Sequence, residues 1–305
     1  KINENDVNKK KLIPFISRNG FVKSVLGSIE TALIDLIGKK TNLPAYKLLG
    51  IINKRIQCYY SGGSVVMSPK EIEKDVEVAL SQKFKYYKMR IGFKKWSHDI
   101  ARIKKAKKTL GKKNTLIIDA IMGTHQKIWN KKEAIKKINS LKKFNPLWIE
   151  EPLHPDDVEG YIELIKKIKI PIAAGEAYTG DYEYINLINQ KLIKYLQLDV
   201  SCSGGYSFCK EISSYAKKKN IKVIPHCWGS VVAVASNLSL AQSIQNRYIF
   251  EIPSVKLEIS KYIAENSVVI KNGFIEASDV SGYGFNFSNK IKNKFKYKSI
   301  NTFKI

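Results

Sequence analysis

An α/β chain closed as a (β/α)8-type barrel is the fold class this sequence predicts, and three observations carry it. From Arg55 onward, eight short runs rich in β-branched and aromatic residues follow one another. Each is followed by a polar break and most lead into a lysine-rich amphipathic stretch at helical period. Seven of the eight carry an acid, a histidine or a Lys–Arg pair at or near their C-terminal end. Strands alternating with helices require parallel pairing through right-handed crossovers, and eight units of roughly 25 to 30 residues match the period of a barrel. An open doubly wound sheet would carry a longer Gly-rich phosphate turn than "SGGS" at Ser61 to Ser64.

The runs are RIQCYYS (Arg55 to Ser61), YYKMRI (Tyr86 to Ile91), TLIID (Thr115 to Asp119), LWIE (Leu147 to Glu150), IAAGE (Ile172 to Glu176), YLQLD (Tyr195 to Asp199), KVIPH (Lys222 to His226) and YIFE (Tyr248 to Glu251). Upstream, the pattern predicts a helix from Phe21 to Lys40, closed by a turn at Asn42 to Pro44. Val25, Ile29, Ala32, Leu33 and Leu36 share one face of it, the face expected to pack. Downstream, Asn-Gly between two alternating runs in SVVIKNGFIEAS (Ser267 to Ser278) predicts a hairpin. The expected organisation is therefore a barrel over residues 55–266, with a small second unit made of residues 1–54 and 267–305.

Composition excludes some classes. No apolar run approaches the roughly 18 to 20 residues a membrane span needs, so the expectation is a cytoplasmic protein with no membrane partner. Four cysteines without CxxC spacing read as reduced thiols. The formal charge is +26, from 53 Lys and Arg against 27 Asp and Glu. The lysines recur along all the helical stretches and form no single basic arm, which reads as solvated helix faces and not as a nucleic-acid footprint. A non-catalytic basic barrel binding nucleic acid remains the reading of another class.

In a barrel the C-terminal strand ends meet at one mouth, so residues scattered in sequence converge in space. Asp119, Glu150 and Glu176 close three consecutive runs. Three carboxylates in one low-dielectric mouth repel one another unless protonated or bridged by a cation, and an all-oxygen set suits a hard divalent ion, Mg²⁺ first. Of Glu150 and Glu151 only one can face the interior, because successive strand residues point to opposite sides. Lys88 and Arg90 sit two apart and share a face. His226 closes the seventh run and Asp199 the sixth; a carboxylate beside an imidazole fixes its tautomer and raises its basicity.

In this order and spacing, the KMR pair, the Asp, "WIEEP", "GE", "QLDVS" with its Gly pair, and "PHCWGS" resemble the mandelate racemase branch of the enolase superfamily over nearly the whole chain. GSIETALIDLIGKKTNLPAYKLLG is similar to the end of that family's N-terminal capping domain, and SGYGFNF (Ser281 to Phe287) to the C-terminal return to it. The resemblance implies Asp119, Glu150 and Glu176 as Mg²⁺ ligands. It also implies Lys88 and Arg90 at the two positions of the KxK base motif, His226 with Asp199 as a dyad, and Glu251 as the acid that bonds the developing enolate. The shared chemistry it implies is removal of the proton alpha to a carboxylate, by enzymes that often form homo-oligomers. The resemblance implies that residues 1–54 are a partial capping domain, whose strands are expected to lie before Lys1.

Two departures direct the choice of reaction. Arg90 stands where family racemases keep a lysine base, and a guanidinium is a poor proton acceptor. Ile121 stands where many relatives carry a substrate-touching Asn. The reading favoured is dehydration of an acid sugar, an aldonate or aldarate, to a 2-keto-3-deoxy acid, with His226 as base and then acid. The alternative is a racemase, epimerase or cycloisomerase, with Lys88 as an opposing base whose pKa Arg90 and Mg²⁺ depress.

Overall fold

The computed structural model describes residues 20–93, 95–123, 128–255, 257–264 and 267–296; the outer parts of the two chain-end segments lie outside these. Eight parallel strands form the expected barrel: β1 (Arg55–Ser61), β2 (Tyr86–Arg90), β3 (Thr115–Asp119), β4 (Ile149–Glu150), β5 (Ile172–Ala174), β6 (Tyr195–Leu196), β7 (Lys222–Val223) and β8 (Phe250–Pro253). Sequential strands pair in order from β1 to β7. β8 returns to pair with β1, Cys58 opposite Phe250 and Ser61 opposite Pro253. The run just before β8 bonds to β7, with Val223 N donating to Asn246 O (2.9 Å) and Tyr248 N to Val223 O (3.0 Å), which joins the two sides of the ring.

The paired strands are shorter than the sequence runs from the fourth to the seventh, and the eighth lies two residues further along. The ladder ends one or more residues before Glu176, Asp199 and His226, which stand on the segments leaving the strands. Backbone bonds past the paired positions, such as His226 N to Leu198 O (2.9 Å), still hold those segments in the barrel direction.

Helices cover the barrel's outside, and local chemistry starts them. Helix α1 (Gly20–Thr41) and the short α2 (Ala45–Leu49) precede the barrel. Helix α3 (Pro69–Ser81) opens with a capping box: Ser68 Oγ accepts from Glu71 N (3.3 Å), and Ser68 N donates to Glu71 Oε2 (2.7 Å). Its Ile72, Val76 and Ala79 are buried against the sheet. Helix α4 (Trp96–Leu110) follows β2 and α5 (Lys131–Leu141) follows β3, the latter capped by Asn130 on Glu133 N (3.0 Å). Helix α6 (Val158–Lys167) follows β4, α7 (Asp181–Asn189) β5, α8 (Tyr206–Lys218) β6 and α9 (Val231–Ser243) β7.

The interior has two layers. Tyr59, Ile117, Trp148, Ala173, Ile224 and Ile249 form an apolar floor, with Tyr86, Leu147 and Tyr195 packed on it. Tyr59 meets Trp148 edge-on (5.7 Å between centroids), and Trp148 leans on Tyr195 (5.1 Å). Two residues further along the same strands stand Ser61, Asp119, Glu150, His226 and Glu251, so the alternation of a strand puts floor and mouth in register.

Helix α1 forms as expected but packs the other way round. Val25, Ile29 and Leu36 are 43%, 41% and 61% exposed, and Ala32 is exposed too. The buried line is Lys23, Gly27, Glu30, Thr31, Ile34, Asp35 and Gly38. The reason is a close, polar contact with the barrel. A Cβ on Gly27 would stand 2.5 Å from Val200 O. Lys23 pairs with Asp181 (2.9 Å), Glu30 accepts from Ser207 N (3.0 Å), and Asp35 accepts from Tyr283 N (2.7 Å).

The expected hairpin is present as β9 (Val268–Lys271) and β10 (Phe274–Ala277), turning through left-handed Asn272 and Gly273. It extends the barrel sheet: β10 pairs antiparallel with the start of β1, Arg55 opposite Glu276. The two chain ends meet where Ala45 N donates to Gly282 O (2.8 Å) and Gly282 N to Leu43 O (2.9 Å). Among the described residues, no helix is long and apolar enough to cross a membrane.

Candidate active site

Lys88 is the centre of the mouth. Its ammonium stands 2.5 Å from Glu150 Oε1, 2.9 Å from Glu251 Oε1 and 3.6 Å from Asp119 Oδ2, and it is buried. Burial and the Arg90 charge push its pKa down, but the charges of Glu150, Glu251 and Asp119 outweigh them and raise it. With the acids as they stand, three carboxylates surround the amine and keep it a cation; the depression expected of Lys88 was one by Arg90 and Mg²⁺ together.

Arg90 is tied down. Its Nη1 donates to Gly62 O (2.9 Å), its Nη2 to Ser61 Oγ (3.1 Å), its Nε lies 3.7 Å from Asp119 Oδ2, and its guanidinium stacks on the partly exposed Trp228 ring (4.7 Å to the centroid). These bonds use the fork geometry of arginine and give it a bracing role between three strand ends.

His226 and Asp199 meet as the dyad expected, Nδ1 to Oδ2 at 2.8 Å. Asp199 Oδ1 accepts from Ser201 N (2.8 Å) and Asn237 Nδ2 (2.9 Å). Burial alone would raise its pKa; His226, Asn237 and Ser201 bring it below the ordinary value, so it stays charged. With Nδ1 engaged, Nε2 is the nitrogen free to act, and it faces Glu176 Oε2 at 3.6 Å. Burial would lower the imidazole's pKa, but Glu176, Asp199 and Glu251 lift it to about 10. Glu251, in turn, is pushed up by burial and held down at about 2 by Lys88 and His226, while its Oε2 accepts from Cys227 N (2.9 Å).

The three candidate ligands all belong to this mouth. Asp119 accepts from Ile121 N (2.8 Å), and that loop bends through a left-handed Ile121 (φ 46°), a strained conformation for a β-branched residue. Glu176 follows Gly175 (φ 144°), where a Cβ would stand 2.8 Å from Gln197 N; only glycine lets the chain turn this close and aim Glu176 inward. Burial and then the Glu150 charge raise the pKa of Asp119, and burial raises that of Glu176 against the lowering by His226. Buried Glu176 Oε2 has no hydrogen-bond partner. Crowded, mutually destabilised carboxylate oxygens with an orphaned lone pair fit a hard divalent cation in donor chemistry. As the side chains stand, no three acidic, histidine or cysteine groups among the described residues are arranged to hold an ion together, and Glu150 Oε1 faces Lys88 at 2.5 Å.

Of the Glu150–Glu151 pair, Glu151 is the one that turns away, and sequence reasoning missed the further neighbours Trp148, Asn237 and Ser201. Glu151 is left-handed (φ 39°) and buried beneath the loop after β3, where a Cβ on Gly123 would meet its Oε2 at 2.7 Å. Burial and the charges of Glu176, Asp119 and Glu150 raise its pKa, so it senses the mouth although it turns to the loop. Trp148 donates from Nε1 to Glu150 Oε2 (3.0 Å), and Asn237 and Ser201 brace the dyad from α9 and the loop after β6. Trp148 reads as core in sequence, and nothing in the α9 pattern marks Asn237.

Residues 71–291 match the sequence profile of the Enolase C-terminal domain-like family. An arabinonate dehydratase of Saccharolobus solfataricus is 28% identical over 285 residues, 92% of this chain and 74% of that one. An L-talarate/galactarate dehydratase of Salmonella typhimurium is 28% identical over 279 residues, 91% of this chain and 66% of that one. In structure, the 3,6-anhydro-D-galactonate cycloisomerase of Zobellia galactanivorans superposes with a TM-score of 0.83 at 26% identity, covering 93% of this chain and 79% of that one.

Proposed function

Because this chain belongs to the Enolase C-terminal domain-like family, within the enolase superfamily of enzymes, we propose that it is a Mg²⁺-dependent dehydratase of acid sugars, converting an aldonate or aldarate to a 2-keto-3-deoxy acid. The observation that carries the reading is the His226–Asp199 dyad at 2.8 Å, which leaves Nε2 turned toward Glu176, in a mouth where Lys88 faces Glu150 at 2.5 Å. The relatives named as arabinonate and L-talarate/galactarate dehydratases support the substrate class.

Asp119, Glu150 and Glu176 are the residues that would hold the ion, whose charge acidifies the carbon alpha to the substrate carboxylate. Lys88 and Arg90 add fixed positive charge on the flank where the enediolate develops. Glu176 is the largest of the charges that raise the His226 pKa, and an ion held there would offset it; Nε2 then takes the alpha proton while Asp199 holds Nδ1–H and balances the imidazolium formed. The same imidazolium then gives its proton to the beta-hydroxyl as its C–O bond breaks. Water leaves, and the enol left behind tautomerises to the 2-keto acid. Two-base racemisation needs a proton acceptor on the opposite face, and Arg90, at the second position of the base motif, is a poor one. Cycloisomerisation needs only the one base, and the likeness to the Zobellia cycloisomerase favours it as the second reading. A homo-oligomer in the cytoplasm belongs to the same reading.

The test is to incubate the full-length protein and Mg²⁺ with a panel of aldonic and aldaric acids and to assay 2-keto acid. One responsive acid with loss of a hydroxyl is the expected result. Silence across a broad panel contradicts the reading, and a product that keeps all its oxygens selects cycloisomerisation.

A further inference from the structure

We propose that the indole N–H of Trp148 is the group that positions Glu150, so that this floor residue sets the mouth's affinity for a divalent cation. The inference rests on the reading of Glu150 as one of the acids that hold the ion.

Trp148 is fully buried and lies two residues before Glu150, on the same inward side of the chain. Its Nε1 donates to Glu150 Oε2 at 3.0 Å, while Glu150 Oε1 faces Lys88 at 2.5 Å. One carboxylate oxygen is thus held from below by a neutral donor and the other from the side by a cation. The donor itself cannot swing: Tyr59 stands edge-on to its ring at 5.7 Å and Tyr195 leans on it at 5.1 Å. A rigid donor narrows the orientations open to Glu150 before any ligand arrives, which is what outer partners of metal ligands do. An indole suits this place for a further reason. It adds a hydrogen bond without adding a charge or a titrating group to a mouth already crowded with both.

The test compares the wild-type protein with two variants, Trp148→Phe and a version carrying benzothienylalanine at position 148, which replaces the N–H by sulfur and keeps the ring's shape. Binding of Mg²⁺ and Mn²⁺ is measured by calorimetry, alongside circular dichroism and thermal melting. The expected result is an unchanged fold in the sulfur analogue with the dissociation constant weakened by roughly 10- to 100-fold, as for other outer partners of metal ligands. An unchanged constant in the sulfur analogue overturns the inference while leaving the acid set intact. A wild-type protein that binds neither ion overturns the ligand reading, and the inference with it.

Discussion

The barrel's floor and its mouth are built by the same strands, two residues apart, and they behave as opposites. The floor is Tyr59, Ile117, Trp148, Ile224 and Ile249, apolar and interlocked. The mouth is Ser61, Asp119, Glu150, His226 and Glu251, polar, charged and mutually opposed. Burial stabilises the first and strains the second, because charge out of water is tolerated only when paired. The comparison teaches where this chain keeps its stability and where it spends it.

The largest expected effect separates the two. Replacing the proposed base, His226→Asn, lowers kcat on a responsive acid sugar by roughly 10²- to 10⁴-fold and leaves the urea midpoint close to that of the wild type. A large loss of stability instead would make His226 a structural residue. In the floor the pattern reverses: Ile117→Ala costs about 2–5 kcal/mol of stability by urea unfolding, with divalent-ion affinity retained by the folded fraction. An affinity that collapses while stability holds would break the distinction between layers.

Gln197, two residues past Tyr195 of the floor, is buried with neither its Oε1 nor its Nε2 hydrogen-bonded. Replacing it by the similar-sized Gln197→Met raises stability by about 1 kcal/mol in thermal melts, the penalty of an unsatisfied buried amide being relieved. A loss of stability would mean the amide is satisfied, and a fall in kcat with the gain would assign it to the mouth. The smallest effect falls outside the barrel, where apolar side chains are exposed: Ile29→Ser on α1 changes the melting free energy by less than about 0.5 kcal/mol, and a cost near that of Ile117→Ala would show that the stripe is covered in solution.

The mouth was legible because its residues interrupt runs of β-branched and aromatic side chains, and an ionisable group at the end of such a run has few reasons to be there. The dyad and the Lys88 constellation were visible for that reason. The strand ends were read too long at Glu176, Asp199 and His226, since composition does not reveal where a ladder stops and a segment merely continues its direction. Helix α1 was misread because its buried line is glycine, threonine and paired charges, a close-contact surface that apolar periodicity does not register.

The most direct measurement is anomalous diffraction from a crystal soaked in Mn²⁺, which locates the ion without assuming a substrate. The account predicts one peak ligated by oxygens of Asp119, Glu150 and Glu176, with Lys88 Nζ drawn away from Glu150. A folded protein whose ion sits elsewhere, or that takes up no ion while Lys88 keeps its hold on Glu150, would contradict it.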